Sequence, residues 1–156
     1  MTGALVPLAW ASAFLLGLSA GIHVVGVLAL NPSLRAVDAP TYLAIKQSMD
    51  RRFPVLMKPL TLTGVAALLG LTVLAAIDGR ADVAVPAGVG LVSAVVALVA
   101  VVRGDLPINE RMAGWTVDSL PPDWQDWRLR WERFFLARTV ATLVASGAAL
   151  TCLATA

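Results

Sequence analysis

Few side chains in this 156-residue chain could do chemistry, and they lie in unusual places. The only histidine, His23, sits inside the apolar run GLSAGIHVVGVLALNP. Burying a titratable group in such a helix is expensive and points to a use for it. Lys58 in VLMKPL and Arg138 in FFLART stand near the ends of two other apolar segments. Alone, either cation can snorkel towards lipid headgroups. Together the three form a base and two cations at similar depth on three helices. Such a set can deprotonate an acidic substrate and hold the resulting anion. Asn109, in DLPINERMAGW, can cap a helix or orient a phenol or carbonyl.

These residues need elements to position them, and long charge-free runs supply those elements. The chain is 58% hydrophobic and only 14% charged, with a mean hydropathy of +0.80. Leu5 to Leu30, Pro59 to Ile77, Val83 to Val102 and Thr139 to Ala156 contain no Asp, Glu, Lys or Arg. Each is close to the roughly 20 residues that cross a bilayer core. The expected fold is all-α: a four-helix integral membrane bundle forming one domain over residues 1–156, with spans at about 5–30, 55–77, 83–102 and 134–155. The start, MTGALVPLAW, lacks the basic region of a secretory signal, so the first segment reads as a retained span.

Charge gives the expected topology. Of the 12 basic residues, all but Arg80 fall in or beside the connections at 31–58 and 103–138. The positive-inside rule then puts both large loops in the cytoplasm and both termini outside, in a multi-pass protein of the cell membrane. Membrane lipid and topology account for this charge, and nucleic acid is not needed. The lone Cys152 excludes an intrachain disulfide and reads as a small packing residue. HExxH, CxxC, P-loop and dinucleotide motifs are all absent. No acidic residue lies inside any predicted span, which argues against a carboxylate-based proton pump.

Asn31-Pro32 reads as the end of helix one, and Asp38 as the N-cap of a short amphipathic helix at the cytoplasmic surface. Tyr42, Ile45 and Met49 form its apolar stripe, with Lys46 and Asp50 elsewhere on the wheel, and Pro54 ends it. Ser119 reads as the N-cap of a long fourth helix that extends out of the membrane. On that helix Trp124, Trp127, Trp131 and Arg138 share a narrow sector. This stripe suits an interfacial belt or an aromatic wall for a flat substrate. Asp126 with Arg130, and Arg128 with Glu132, are expected to pair at i,i+4. On helix one, His23 aligns with Ser12, Ser19, Gly26 and Val27, a stripe that should face the bundle interior. Gly17 and Gly21 form a GxxxG pair compatible with close packing or a homo-oligomer.

The segments NPSLR, YLAIKQSMDRRFPVLMKPL, LPINERMAGW and DWRLRWERFFLART, spread over nearly the whole chain, resemble the anthrone-oxygenase-like family of small four-helix membrane proteins. The most specific parts are the P-x-N of Pro107 and Asn109 and the block from Arg130 to Arg138. The resemblance implies an oxygenase without flavin, haem or metal, acting with O2 on a lipophilic aromatic polyketide. In that reading His23 is the base, and Lys58, Asn109 and Arg138 clamp the anion. Tyr42, Trp127, Arg130 and Trp131 contact the substrate. Two alternatives stand beside it: a haem- or metal-dependent oxidoreductase with His23 as axial ligand, and a non-catalytic binding or transport protein.

Overall fold

A computed structural model describes residues 3–155, and four of its helical stretches are long and apolar enough to span a membrane. No strand occurs among the described residues. Helix α1 (Leu5–Val25) leads through a π-helical segment, Gly26–Leu30, into the short α2 (Asn31–Arg35). Helix α3 (Ala39–Ile77) forms the second span. Helix α4 (Ala81–Ala100) leads through a second π-helical segment, Val101–Asp105, into α5 (Leu106–Ala113). Helix α6 (Trp124–Thr155) closes an antiparallel ring in which α1 packs on α3, α3 on α4, α4 on α6 and α6 on α1. The protein is therefore a multi-pass, four-helix membrane bundle.

Its packing suits lipid. Trp10, Phe14, Leu28, Val55 and Ile77 point outward and exposed, while alanines and serines fill the interior. Small interior residues let backbones approach where no hydrophobic force drives helices together. At the end carrying the 78–80 turn, the core is Leu5, Ala9, Leu16, Leu68, Leu71, Val83, Ala145, Ala149 and Cys152 with their neighbours. The Cys152 thiol is buried against the Val83 and Ala148 carbonyls, in keeping with a packing role. Gly79, at φ 68°, ends α3 in a Schellman turn, with Arg80 N–H donating to Ala75 O and Gly79 N–H to Ala76 O. Arg80 then binds Asp82 and the Thr155 carbonyl, tying this turn to the end of α6.

The prolines behave differently from expectation. Asn31-Pro32 does not end helix one, because the chain shifts to π register just before it. Asn31 N–H donates to Gly26 O, five residues back, and Leu106 N–H likewise to Val101 O before Pro107. Proline lacks an N–H and its ring crowds the carbonyl four residues earlier. One wider turn absorbs both defects, so the helix continues. Pro54 does not stop its helix either: the amphipathic segment from Ala39 runs straight into span two, with Pro54 and Pro59 inside α3. Asp38 caps α3 as expected, accepting the Thr41 N–H at 3.0 Å, which holds its carboxyl below the usual range. Ser119 caps nothing; it exchanges hydrogen bonds with Thr116 in a turn, and α6 starts at Trp124.

Candidate functional site

The end of the bundle bearing the long connections is built differently. Here Trp131, Phe135 and Arg138 of α6 look into a buried cluster shared with α1, α3 and the α4–α5 junction. His23 meets the Phe135 ring edge-on, with centroids 5.7 Å apart and planes at 73°. The Arg138 guanidinium lies 4.3 Å from the centre of that ring, and Trp131 stacks at 5.2 Å with a tilt of 39°. Lys46 completes the row, its ammonium 4.5 Å from the Trp131 ring centre.

The charges in this row are paired. Lys46 is fully buried and donates to both Asp50 carboxylate oxygens at 2.6 Å and to Asn109 Oδ1 at 2.7 Å. Arg138 donates to the Oδ2 of Asp105, which is almost fully buried in the second π segment. Not every polar atom is satisfied, however. His23 Nδ1, Tyr42 Oη, Asp105 Oδ1, Trp131 Nε1 and Arg138 Nε are buried and make no hydrogen bond within the protein. Leaving one such group unpaired costs about 1–3 kcal/mol, so a group of them calls for an explanation.

Two glycines let this cluster close. A Cβ on Gly26 would overlap the Phe135 ring, and one on Gly104 would overlap the Phe134 ring. Both glycines lie in the π segments, so the two widened turns grip α6 at adjacent phenylalanines. π-bulges are frequent at functional sites because they re-aim side chains without ending a helix. Here the shift keeps the third span helical beyond α4 and through Asp105, which turns a predicted loop acid into a buried one.

The predicted residues fall into several environments. His23 is buried on the expected stripe with Ser12, Ser19 and Gly26. Asn109 caps no helix; it orients the Lys46 ammonium. Lys58 is exposed on the outer face of α3 and does not join the cluster. Lys46 takes the place expected of it. Tyr42 is buried, 5.3 Å from Trp124, and Arg128 stacks on both rings. Glu132 does not pair with Arg128, because Arg35 from α2 chelates it across the bundle. Asp126 and Arg130 form no ion pair; Arg130 stacks on Trp127 instead. Gly17 faces inward, its Cβ position 3.6 Å from Ser146 Oγ, whereas Gly21 has open space.

Lys46 and Asp105 are the functional candidates that the sequence reading missed. Tyr42, Lys46 and Asp50 recur at four-residue spacing, a stripe as regular as the apolar one at 42, 45 and 49. The polar stripe faces the bundle, and Ile45 is partly exposed instead.

Two hollows flank the cluster. One of about 110 Å³ lies between α1, α2 and α6, beside Val27, Asn31, Pro32, Arg35, Glu132 and Leu136. The other, about 270 Å³, is an open groove lined by Arg103, Gly104, Pro107, Ile108, Arg111, Trp127, Arg130 and Phe134. Neither reaches the roughly 300–1,000 Å³ of a usual small-molecule pocket. Trp127 and Arg130 thus line the groove, although Trp127 also packs against the apolar side of the cluster. Comparison with protein-family models, curated proteins and solved structures returns no match.

Proposed function

We propose that this protein is a membrane-embedded oxygenase that oxidises a lipophilic, weakly acidic aromatic substrate with O2 and without a cofactor. The supporting observation is the row Lys46–Trp131–Phe135–Arg138 with His23 against its edge and several buried polar atoms unpaired around it. Phe135 touches the imidazole, the guanidinium and the indole at once. A flat substrate ring that displaced Phe135 would meet a base, an anion-stabilising cation and an aromatic wall. We place this end of the bundle at the cytoplasmic face, where an amphiphilic substrate reaches it from the membrane.

The chemistry is suited to an anthrone, whose benzylic C–H is acidic because its anion is delocalised over two rings. His23 takes that proton, and Arg138 and Lys46 stabilise the negative charge on the substrate oxygen. The anion passes one electron to O2, and the substrate radical and superoxide combine into a C–O bond. The peroxide recovers the proton from His23, then loses water to leave a carbonyl. Substrate and O2 are thus converted to quinone and water. Asn109 and Asp50 act by holding the Lys46 ammonium in place, and Asp105 does the same for Arg138.

The test is oxygen uptake by detergent-purified protein given an anthrone, with absorbance spectra of the same sample. The expected result is uptake well above the uncatalysed rate, lost in His23→Ala and reduced in Lys46→Met. Uptake no faster than the uncatalysed rate would remove this reading. A Soret band in the active sample would replace it with a haem-dependent one.

A further inference from the structure

The groove beside the cluster has a composition that the oxygenase reading does not use. Helical geometry turns the polar groups of the two sites to different faces. On the α4–α5 stretch, Gly104, Ile108 and Arg111 recur at i, i+4 and i+7 and line the groove, while Asp105 and Asn109, one step of about 100° round, face the cluster. On α6, Trp127 and Arg130 line the groove, and Trp131 and Arg138 face the cluster. The groove and the cluster are adjacent faces of the same helices.

Three guanidiniums, from Arg103, Arg111 and Arg130, converge on the groove, and no carboxylate lines it. Arg111 and Arg130 stack on Trp127 at 4.3 and 5.6 Å. A contact with the ring takes up no hydrogen-bond acceptor, so the guanidinium N–H groups remain to be satisfied by a ligand. Asp123 takes the Trp127 indole N–H at 3.0 Å, so it fixes the ring and does not neutralise an arginine. Planar forks with free edges are the preferred partners of phosphate oxygens. Leading away from the groove along the outer surface of α4 and α5, Val95, Val99, Val102 and Leu106 form one exposed apolar stripe. Arg103 lies on this stretch, between Val102 and Leu106. A free anion would have no use for the stripe, whereas an acyl chain would lie along it.

We propose that this groove binds the phosphate headgroup of an anionic phospholipid, with an acyl chain along the Val95–Leu106 stripe. The probe is phosphatidylglycerol added to the detergent-solubilised protein, read as thermal unfolding, with phosphatidylcholine and inorganic phosphate as separate arms. Phosphatidylglycerol should raise Tm at mole ratios where phosphatidylcholine does not, and inorganic phosphate should give no comparable shift. Arg111→Gln with Arg130→Gln should weaken lipid binding roughly 30-fold, the loss of two basic contacts at a membrane surface. Arg51→Gln with Arg52→Gln removes the same charge from α3, outside the groove, and should keep the shift. Should the double groove variant not fold, Arg103→Glu tests the same headgroup from the second π segment. An undiminished shift in a folded groove variant, or an equal loss in the α3 control, would overturn the proposal. A full shift with inorganic phosphate alone would overturn the assignment to lipid.

Discussion

The two ends of this bundle solve the same packing problem with opposite materials. At the turn end, alanine, leucine and glycine bring the backbones together, and the hydroxyls of Ser12 and Thr72 bond within their own helices. Ser12 donates to Leu8 O at 2.7 Å and Thr72 to Leu68 O at 2.8 Å. Among the described residues, the hydrogen bond that crosses between helices in that interior is that of the Cys152 thiol, whose sulfur lies 3.7 Å from Val83 O. At the other end the helices are held by crossing charges: Arg35 to Glu132, Lys46 to Asn109, Arg138 to Asp105. The first design is stable and chemically inert. The second retains unpaired polar atoms, a cost that a protein selected only for stability would shed. The difference makes the charged end the candidate site before any substrate is considered.

The sharpest way to break that contrast is to remove one charge from the cluster. Arg138→Met leaves the buried Asp105 carboxyl without its partner, and should cost about 3–5 kcal/mol, since breaking a buried pair by removing one member is strongly destabilising. Adding Asp105→Leu to the same protein should recover most of the loss, because an apolar pair of similar volume is close to neutral. Unfolding in detergent, followed for both single variants and the double, measures the coupling directly. A double variant as unstable as Arg138→Met would show that the arginine acts by packing on Phe135, and that the two ends differ less than their charges suggest.

Most of the fold was legible because a bilayer demands long apolar helices and little else mimics them. The four spans, the Asp38 cap and the inward stripe of Ser12, Ser19 and His23 all follow from periodicity and composition. The candidate site was only partly legible, and for one physical reason. Asn31-Pro32 reads as a helix end by local chemistry, and the charge-free run of the third span stops at Val102, yet a π turn at each place keeps the helix going. Ending the third span at Val102 made Asp105 a loop residue and hid the partner of Arg138. Reading α3 as ending at Pro54 made Lys46 part of a surface helix, when the unbroken helix buries it against Trp131. Lys58 was chosen because it borders a charge-free run. A border in sequence does not say which way a side chain faces, and Lys58 faces out.

The π segments themselves mark the boundary between the two ends, and they can be tested with a smaller change. A Cβ at Gly104 overlaps the Phe134 ring, so Gly104→Ala should cost about 1–3 kcal/mol, the usual range for forced overpacking. Phe134→Leu should relieve it. Gly147→Ala, where a Cβ meets nothing, is the matched control and should be near neutral or slightly stabilising. Thermal unfolding of the set distinguishes steric contact from a general cost of alanine in these helices.

The smallest effect is expected at the far turn, where geometry alone is at stake. Gly79 holds φ 68° between α3 and α4, and a Cβ there would meet nothing within 4 Å. The cost of Gly79→Ala is therefore purely conformational, about 1–2 kcal/mol for a non-glycine residue in the left-handed region. Gly79→Asn should cost less, since asparagine enters that region more readily. Because Arg80 binds both Asp82 and the Thr155 carbonyl, the turn should hold its shape, and the loss should appear in stability without altering the charged cluster. Tm measured beside oxygen uptake separates the two. A Gly79→Ala variant that lost uptake while retaining its Tm would mean that the turn end is coupled to the chemistry, and the division between inert and working ends would have to be redrawn.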